Sequence, residues 1–309
     1  MRYPKLLKKG SLIGITALSS GASDCRDKFD LAIENLRKVF SVILTDNVYG
    51  SNIVSSSTSE RVEQLNDLLD TEGVGLILTA RGGNYLYETL DSIDFDKIYE
   101  KNIWFEGASD ATSLLYILTT KYDIATIYGR NAKQFSQLSD DVIDNINLIK
   151  NEGYVQEDYY DRDILSVNGN FNASGIVIGG CLDVIRNIIG TKFDNTKEFI
   201  EKYKKYGVIW YFDIFSMSSI DVYLTLLQFK NAGWFKYSDT FIFGTVAYPT
   251  VLADLSYEKA IEKAMFGYDN IIINANIGHI KPVNTIINGS RIKMEFKDGN
   301  YILKQEFID

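Results

Sequence analysis

The sequence predicts an α/β protein of two domains, the first of which has a parallel sheet covered by helices. Short apolar runs typical of buried strands alternate with segments whose apolar residues recur at helical spacing, and this alternation occurs in both halves of the chain. A hydrophobic content of 46% with 24% charged residues is typical of a folded globular protein. Since ligands gather at the carboxyl ends of parallel strands, the loops after the strands are the places to search for a site.

The first half of the chain shows the alternation most clearly. Its predicted segments are a strand at 11–17, a helix at 28–40, a strand at 41–44, a helix at 58–69 with Ser59 as its cap, a strand at 74–79, a helix from Tyr85, a strand at 103–105, a helix that carries Leu114, Leu115, Ile117 and Leu118, and a strand at 124–128. The loops SSGAS at 19–23, ARGG at 80–83 and GASD at 107–110 follow three of these strands. They are therefore expected at the same edge of one sheet.

The second half repeats the pattern after an acidic stretch. Strands are predicted from 174 and at 208–212, 240–244 and 270–273, helices at 182–189 and 220–233, and a β-hairpin around Asp298-Gly299-Asn300. The stretch between the halves is rich in acidic residues, namely Asp140, Asp141, Asp144, Glu152, Glu157, Asp158, Asp161 and Asp163. We interpret it as a connecting segment with a solvated face. The predicted domains are 1–130 and 173–309, joined by 131–172.

Composition and charge exclude several classes of protein. The net charge of −9 argues against a nucleic-acid backbone or an anionic membrane as partner, because both require a basic face. Two distant cysteines, Cys25 and Cys181, do not form a disulfide framework and suit a reducing compartment. The apolar run near the start is interrupted by Gly14, so it is interpreted as a first buried strand rather than a signal peptide. The expectation is a soluble cytoplasmic protein.

The segment 102–120 contains the first candidate for chemistry. A short strand stops at small residues, a helix follows, and the hydroxyl of Ser109 lies at the turn between them. A serine nucleophile needs this context, because small neighbours permit a sharp turn and the helix N-terminus offers N–H groups to an oxyanion. The alternative is that Ser109 and Asp110 only cap the helix, as both residue types commonly do.

Two residues of the second half could assist such a serine. His279, the only histidine, follows a strand and a glycine, and a serine nucleophile needs a base that is usually histidine. Asp213 ends the strand VIWYFD, where a carboxylate could orient that histidine. The alternatives are a structural or exposed histidine and an aspartate that starts a turn or caps a helix.

Other chemistries have weaker support. Cys181 also lies at a strand–turn–helix, but no second histidine is available to activate it. One histidine without a Glu-x-x-His spacing does not supply the ligands of a transition metal. No Gly-x-Gly-x-x-Gly follows a strand, so a dinucleotide is not expected. We therefore expect neither metal nor cofactor.

The chain resembles the LD-carboxypeptidase family of serine peptidases, which includes murein tetrapeptide carboxypeptidases and microcin-immunity peptidases. The resemblance runs nearly end to end. It is carried by KKGSLIGITALSSGAS, SERVEQLN, ARGGNYL, GASDATSLLYILTTKYDIATIYG, IVIGGCLDVIRNIIGT, VIWYFD with LLQFKNAGWF, and NIGHIKP with INGS. It implies an N-terminal parallel-sheet domain of flavodoxin or glutamine-amidotransferase type, a C-terminal α/β domain of the LD-carboxypeptidase type, and a homodimer.

The resemblance also implies site residues and a reaction. Ser109 would be the nucleophile, His279 the base and Asp213 the orienting acid, and together they would cleave an L-D peptide bond in murein-derived peptides. Backbone N–H groups of the elbow and of the glycine loop would hold the oxyanion, and Arg81 would either face the substrate carboxylate or form a structural ion pair. The residues that the resemblance assigns to oxyanion or substrate binding are Gly82, Gly83, Asp110 and Arg81.

This sequence departs from the family pattern near the implied site. Asp213 replaces the usual glutamate, Ala108 stands where an aromatic residue is more common, and Thr245 stands where arginine is common. The segment YGRNAKQFSQ also lacks the aromatic and glycine usually found there. Two alternatives to a murein peptidase follow: a microcin-immunity-type peptidase acting on peptidyl-nucleotide analogues, and a weakly active or non-catalytic binding homologue.

Overall fold

A computed structural model gives the fold of residues 1–151, 153, 155–157 and 163–308. The chain divides into two compact units, of which the first contains Met1–Glu152 with Thr285–Ile287 and the second contains Gly153–Asn284 with Asn288–Asp309. Each unit is an α/β structure around its own sheet. The α/β fold class is therefore confirmed.

The first unit contains a sheet of six described strands. Numbered along the chain, they are β1 (Leu12–Thr16), β2 (Ser41–Leu44), β3 (Val74–Thr79), β4 (Trp104–Gly107), β5 (Thr126–Tyr128) and β12 (Ile286–Asn288), in the spatial order β12-β5-β4-β3-β1-β2. The neighbours from β2 across to β5 are paired in parallel. The helices of this unit are α1 (Arg26–Arg37), α2 (Thr58–Asp70), α3 (Phe95–Lys101), α4 (Thr112–Tyr122) and α5 (Asp140–Leu148).

The second unit contains a mixed sheet of eight described strands. They are β6 (Val155–Glu157), β7 (Leu165–Ser166), β8 (Phe171–Cys181), β9 (Val208–Asp213), β10 (Ser238–Gly244), β11 (Asn270–Ala275), β13 (Arg291–Lys297) and β14 (Asn300–Glu306), in the order β6-β14-β13-β8-β9-β10-β11-β7. The central strands β8 to β11 are parallel, and the predicted hairpin β13–β14 is antiparallel. The helices are α6 (Leu182–Ile185), α7 (Thr196–Tyr203), α8 (Ser219–Asn231) and α9 (Tyr257–Ala264).

An aromatic cluster fixes β9 in the core of the second unit. Trp210 stacks on Trp234 with ring centroids 6.0 Å apart, and Phe212 contacts Phe229 and Phe243 at 6.3 and 5.4 Å. All six residues of β9 are buried, as expected of a strand covered on both faces. The strand therefore ends in Asp213 at a well-fixed position.

The structure differs from the predicted elements in the loop after β3. The helix predicted from Tyr85 is only a short 3₁₀ turn at Tyr87–Thr89. The backbone N–H groups of Tyr85 and Leu86 donate to the side chains of Ser19 and Asp110, so these donors hold the loop against neighbouring elements. The cap of α2 is Ser57, in a capping box with Glu60, and not the predicted Ser59.

The two units change over at residues 152 and 153, whereas the predicted domains are 1–130, 131–172 and 173–309. The described part of 131–172 is divided between the units: α5 belongs to the first, and β6 and β7 belong to the second. Helix α5 buries Asp141, Val142, Asn145 and Leu148 in the first unit, which a solvated connector would not do. The acidic residues Glu152, Asp158 and Asp161 lie outside the described residues.

Within the described residues, every helix is too short or too polar to cross a membrane.

Candidate active site

Ser109 lies at a strained turn between β4 and α4. Its φ is +62°, a left-handed conformation that non-glycine residues rarely adopt and that clusters at functional sites. Helix α4 begins at Thr112 after Ala111 and has no side-chain cap. The helix-cap alternative for Ser109 and Asp110 is therefore wrong, and the local geometry is that of a nucleophile elbow.

Two neighbours contact the elbow directly. The backbone N–H of Ser109 donates to the buried hydroxyl of Tyr128 at 3.2 Å. Gly82 lies so close that a Cβ added there would be 3.0 Å from the Cβ and 3.3 Å from the Oγ of Ser109. A side chain at position 82 would therefore press on the serine, which explains a glycine at this point of the ARGG loop.

The carboxylate of Asp110 joins the loops around the elbow. It accepts hydrogen bonds from Ser19 Oγ at 2.6 Å and from the backbone N–H of Leu86 at 2.9 Å. Burial raises the pKa of Asp110, while these hydrogen bonds oppose the rise. Gly83 adopts a φ of +152°, and any side chain there would collide with the hydroxyls of Ser19 and Ser20. The three loops predicted to share one sheet edge do meet.

Arg81 forms a structural ion pair. Its guanidinium contacts the carboxylate of Asp24 and donates to the carbonyl oxygen of Gly21 at 2.9 Å. The same nitrogen lies 3.6 Å from the Sγ of Cys25. Of the two alternatives for Arg81, the structure supports the one in which it holds the loop after β1.

Asp213 and His279 form a close pair in the second unit. The Nδ1 of His279 lies 2.9 Å from Oδ1 and 2.7 Å from Oδ2 of Asp213, whose side chain is fully buried. Burial by itself would lower the pKa of His279, but the charge and hydrogen bond of Asp213, with a smaller contribution from Asp183, raise it above its ordinary value. The helix-cap alternative for Asp213 is wrong, because the cap of the following helix α8 is Ser218.

The loop that carries His279 is closed at its base. The backbone N–H of Asn284 donates to the carbonyl of Asn276 at 2.6 Å, and the hydroxyl of Tyr301 accepts from Asn276 N–H and donates to Asn284 Oδ1. Gly278 has a φ of +106°, and a Cβ there would collide with the carboxylate of Asp213. The glycine before the histidine is thus what lets the imidazole and the carboxylate meet.

The ring of Phe215 covers one side of the imidazole. Its centroid lies 4.5 Å from that of His279, at an interplanar angle of 43°. Phe215 in turn contacts the ring of the exposed Tyr248 at 5.0 Å. The imidazole is therefore fixed along its Nδ1 edge by Asp213 and against its ring by Phe215, while its side chain keeps 21% of its exposure.

Cys181 has the properties of a buried structural cysteine. It is 1% exposed, and burial followed by the nearby charges of Asp213 and Asp183 raises the pKa of its thiol well above the ordinary value. A thiol held in its protonated form is a poor nucleophile. The geometry therefore favours the serine over the cysteine.

The structure brings the predicted residues together in two groups. Ser109, Gly82 and Asp110 lie in the first unit with Gly83 and Arg81, and Asp213 lies with His279 in the second. No group of three or more His, Cys, Asp or Glu side chains suited to a metal ion occurs in the part of the chain that the structure describes.

Sequence reasoning missed four contacting residues. They are Ser19, Tyr128, Phe215 and Asp183. Ser19 contacts Asp110, 91 positions away, and Tyr128 contacts Ser109, 19 positions away. Asp183 contacts the backbone of Phe215, 32 positions away. Position at a strand end could have marked Ser19 and Tyr128. The signal in the sequence for Phe215 was its position two residues after Asp213. For Asp183 it was the position two residues after Cys181, at the end of the GGC segment.

Comparison with solved structures supports the fold. The microcin C7 self-immunity protein MccF superposes with a TM-score of 0.85 at 18% identity, covering 100% of both chains. An MccF-like protein from Bacillus anthracis gives 0.81 at 21% identity, again over 100% of both chains. A muramoyltetrapeptide carboxypeptidase from Oxalobacter formigenes gives 0.80 at 18% identity, covering 96% of this chain and 98% of the other.

Sequence comparison identifies the family. A candidate carboxypeptidase from Vibrio cholerae is 30% identical over 132 residues, which are 42% of this chain and 40% of the length of that relative. The family descriptions "LD-carboxypeptidase N-terminal domain" and "LD-carboxypeptidase C-terminal domain" match residues 13–129 and 174–294. With an elbow serine in the first matched domain and a histidine–carboxylate pair in the second, this chain belongs to the LD-carboxypeptidase family.

Proposed function

We propose that this protein is a serine-type LD-carboxypeptidase in which Ser109 is the nucleophile, His279 the general base and Asp213 the orienting acid. The observation that carries the proposal is the pair of contacts, 2.9 and 2.7 Å, between His279 Nδ1 and the buried Asp213 carboxylate. This contact fixes the tautomer that leaves Nε2 as the proton acceptor. The strained elbow at Ser109 supplies the matching hydroxyl.

The proposed reaction is acyl transfer to the serine. Ser109 Oγ attacks the carbonyl carbon between an L-centre and a terminal D-residue while His279 takes the hydroxyl proton. The imidazolium that forms is stabilised by Asp213 and then gives its proton to the departing amine. Water, deprotonated by the same imidazole, attacks the acyl carbon, and the imidazolium returns the proton to Ser109 Oγ as the bond between that oxygen and the acyl group breaks.

The glycine loop and the elbow would stabilise the oxyanion of each tetrahedral intermediate. The candidate donors are the backbone N–H groups of Gly82, Gly83 and Asp110, which lie on loops joined by the carboxylate of Asp110. One such donor contributes about 3 kcal/mol to transition-state stabilisation. Arg81 acts on this scheme only indirectly, because its guanidinium is bound to Asp24.

The proposed substrate is a murein-derived peptide with an L-D terminal bond, processed in the cytoplasm during murein recycling. Peptidyl-nucleotide analogues are the second candidate class, because solved structures of MccF contain aspartyl sulfamoyl adenosine and glutamyl sulfamoyl guanosine. A homodimer is part of the same proposal and is checked by sedimentation velocity.

The test is release of the terminal D-amino acid from an LD-tetrapeptide by wild-type protein and by Ser109→Ala. We expect a loss of at least about 10³-fold in kcat for the variant, since the residual rate then comes from binding and the oxyanion donors alone. Ser113→Ala, on the same helix, is the matched control and should keep its activity. Undiminished activity in Ser109→Ala would contradict the mechanism.

Substrate class is tested with the same proteins. An all-L tetrapeptide and an aspartyl sulfamoyl adenosine are offered beside the LD-tetrapeptide. A kcat/KM for the LD-peptide well above that for both others supports the murein peptide. A kcat/KM that is highest for aspartyl sulfamoyl adenosine assigns the protein to the microcin-immunity type. Binding without turnover assigns it to the non-catalytic homologues.

A further inference from the structure

Asp183 is a carboxylate near the base that the proposed reaction does not use. It follows β8 by two residues, and β8 is paired with β9 so that Cys181 lies opposite Asp213. The carboxyl ends of these two parallel strands are therefore level. A side chain just beyond β8 can reach the loop just beyond β9.

The Asp183 carboxylate is bound to that neighbouring loop. Its Oδ2 accepts from the backbone N–H of Phe215 at 2.9 Å, and its Oδ1 accepts from the backbone N–H of Ser216 at 2.9 Å and from Ser216 Oγ at 3.3 Å. Hydrogen bonds to an ionised acceptor are about twice as strong as neutral ones. Asp183 thus holds two consecutive peptide groups of the loop through both of its oxygens.

The bound loop continues to the imidazole. Phe215, whose N–H is held by Asp183, places its ring 4.5 Å from the ring of His279. The carbonyl of Phe215 accepts from the N–H of Tyr248 at 2.8 Å, so the peptide is fixed on both sides. The path from Asp183 to His279 consists of one backbone hydrogen bond and one ring contact.

We propose that Asp183 is a positioning residue for His279, which fixes the Phe215 ring against the imidazole and adds a second negative charge beside the Asp213–His279 pair. The proposal rests on the function proposed for His279. The titratable groups described around the imidazole are the carboxylates of Asp213 and Asp183 and the thiol of Cys181, whose Sγ lies 3.8 Å from Asp183 Oδ2. Both carboxylates favour the imidazolium, and burial opposes it.

The consequence for the reaction has a definite sign. An imidazolium forms when Ser109 loses its proton, and the charge of Asp183 stabilises it. Removing that charge lowers the pKa of His279, so the neutral base persists to lower pH. The acid limb of the kcat/KM profile should therefore move to lower pH.

The experiment uses the full-length protein and the fact that the chain has a single histidine. Nuclear magnetic resonance of the imidazole then gives the titration of His279 without assignment, whether or not the protein is active. In Asp183→Asn we expect the pKa of His279 to fall, by less than in Asp213→Asn, and kcat to fall by tenfold to about a hundredfold. KM should change little, because Asp183 does not touch substrate.

Asp194→Asn is the matched control. Asp194 is also half-buried in the second unit and also accepts two backbone N–H bonds, from Gly190 at 3.0 Å and Thr196 at 3.1 Å. It should leave the titration of His279 and the acid limb unchanged. Ser216→Ala removes a donor to Asp183 but keeps its charge, and it should also leave the titration unchanged.

An unchanged His279 titration and kcat in Asp183→Asn would overturn the proposal. If Asp183→Asn does not fold, Phe215→Leu tests the same path from the other end: it should lower kcat and keep the pKa of His279 raised. Full activity in Ser109→Ala would overturn the proposed function alone, since the titration measures the coupling of Asp183 to His279 independently of turnover.

Discussion

Each unit has a buried carboxylate near the end of a strand, and the two carboxylates differ in the groups that contact them. Asp213 ends β9 and has both oxygens within 2.9 Å of His279 Nδ1. Glu106 lies in β4, three residues before Ser109, where its Oε1 accepts from Arg130 N–H at 3.0 Å and Asn145 Nδ2 at 2.7 Å. Its Oε2 is buried with no hydrogen-bond partner among the described residues.

The difference lies in what compensates the charge. Burial raises the pKa of Glu106 to about 7, and its hydrogen bonds with the nearby charge of Arg130 offset only part of that rise. The Arg130 guanidinium forms its own buried ion pair with Asp141. Burial at a strand end therefore does not identify an acid that serves a base; an ionisable partner in direct contact does.

The strongest test of this difference is to remove the charge of each carboxylate in turn and to measure turnover. Asp213→Asn should lower kcat about 10⁴-fold, because the amide favours the wrong imidazole tautomer. Glu106→Gln should lower kcat by less than about tenfold, because Glu106 contacts no proposed catalytic group. Equal losses in the two variants would show that the two carboxylates are not distinct in role.

A second test concerns the ion pair beside Glu106. Arg130→Met should lower the free energy of unfolding by about 3–5 kcal/mol, because it removes the guanidinium that forms a buried ion pair with Asp141. Lys97→Met is the control, since Asp70, its partner, keeps 65% of its side-chain exposure. That variant should cost less than about 1 kcal/mol in urea denaturation.

A third test uses the pH dependence of stability. The pKa of Glu106 is raised from 4.5 to about 7 in the folded protein, so its contribution to stability is complete below pH 4.5 and is lost as pH rises through 7. The loss is on the order of 3 kcal/mol. Denaturant unfolding at several pH values should show this decline in the wild type and a smaller one in Glu106→Gln, because the raised pKa values of Asp110 and His279 also contribute to it. The exposed Glu100→Gln should retain it.

The smallest expected effect concerns the elbow itself. Tyr128→Phe removes the hydroxyl that accepts the N–H of Ser109. We expect kcat to fall roughly tenfold with little change in KM, about the effect of losing one buried hydrogen bond. Tyr122→Phe, at the far end of α4, should be neutral. A neutral Tyr128→Phe would mean that the turn at Ser109 needs no such brace.

Much of the fold could be predicted because buried parallel strands are continuous apolar runs. The predicted strands 41–44 and 74–79 have the observed bounds of β2 and β3. The loop after β3 could not be predicted in the same way, because Tyr85 and Leu86 donate to side chains that lie far away in sequence. The spacing of apolar residues within a short segment contains no information on such distant partners.

In the site, likewise, the residues at strand ends could be predicted and the contacts between distant segments could not. Asp213 ends a strand and His279 follows one, so their positions alone made them candidates, and the structure pairs them. The contacts of Asp183 with Phe215 and of Tyr128 with Ser109 depend on strand order and register, which the sequence does not state locally. Whether Ser109 acts with this pair stays a prediction for the variants above.

The return of residues 285–287 to the first unit has a consequence for how this protein can be altered. The chain leaves β11 at Ala275 in one sheet, and after the ten residues that include His279 it enters β12 at Ile286 in the other. A hybrid enzyme made by joining two relatives at a single crossover near residue 152 would therefore combine a sheet from one parent with an edge strand from the other. Exchange of the complete first unit therefore needs three crossovers, one near residue 152 and one on either side of residues 285–287.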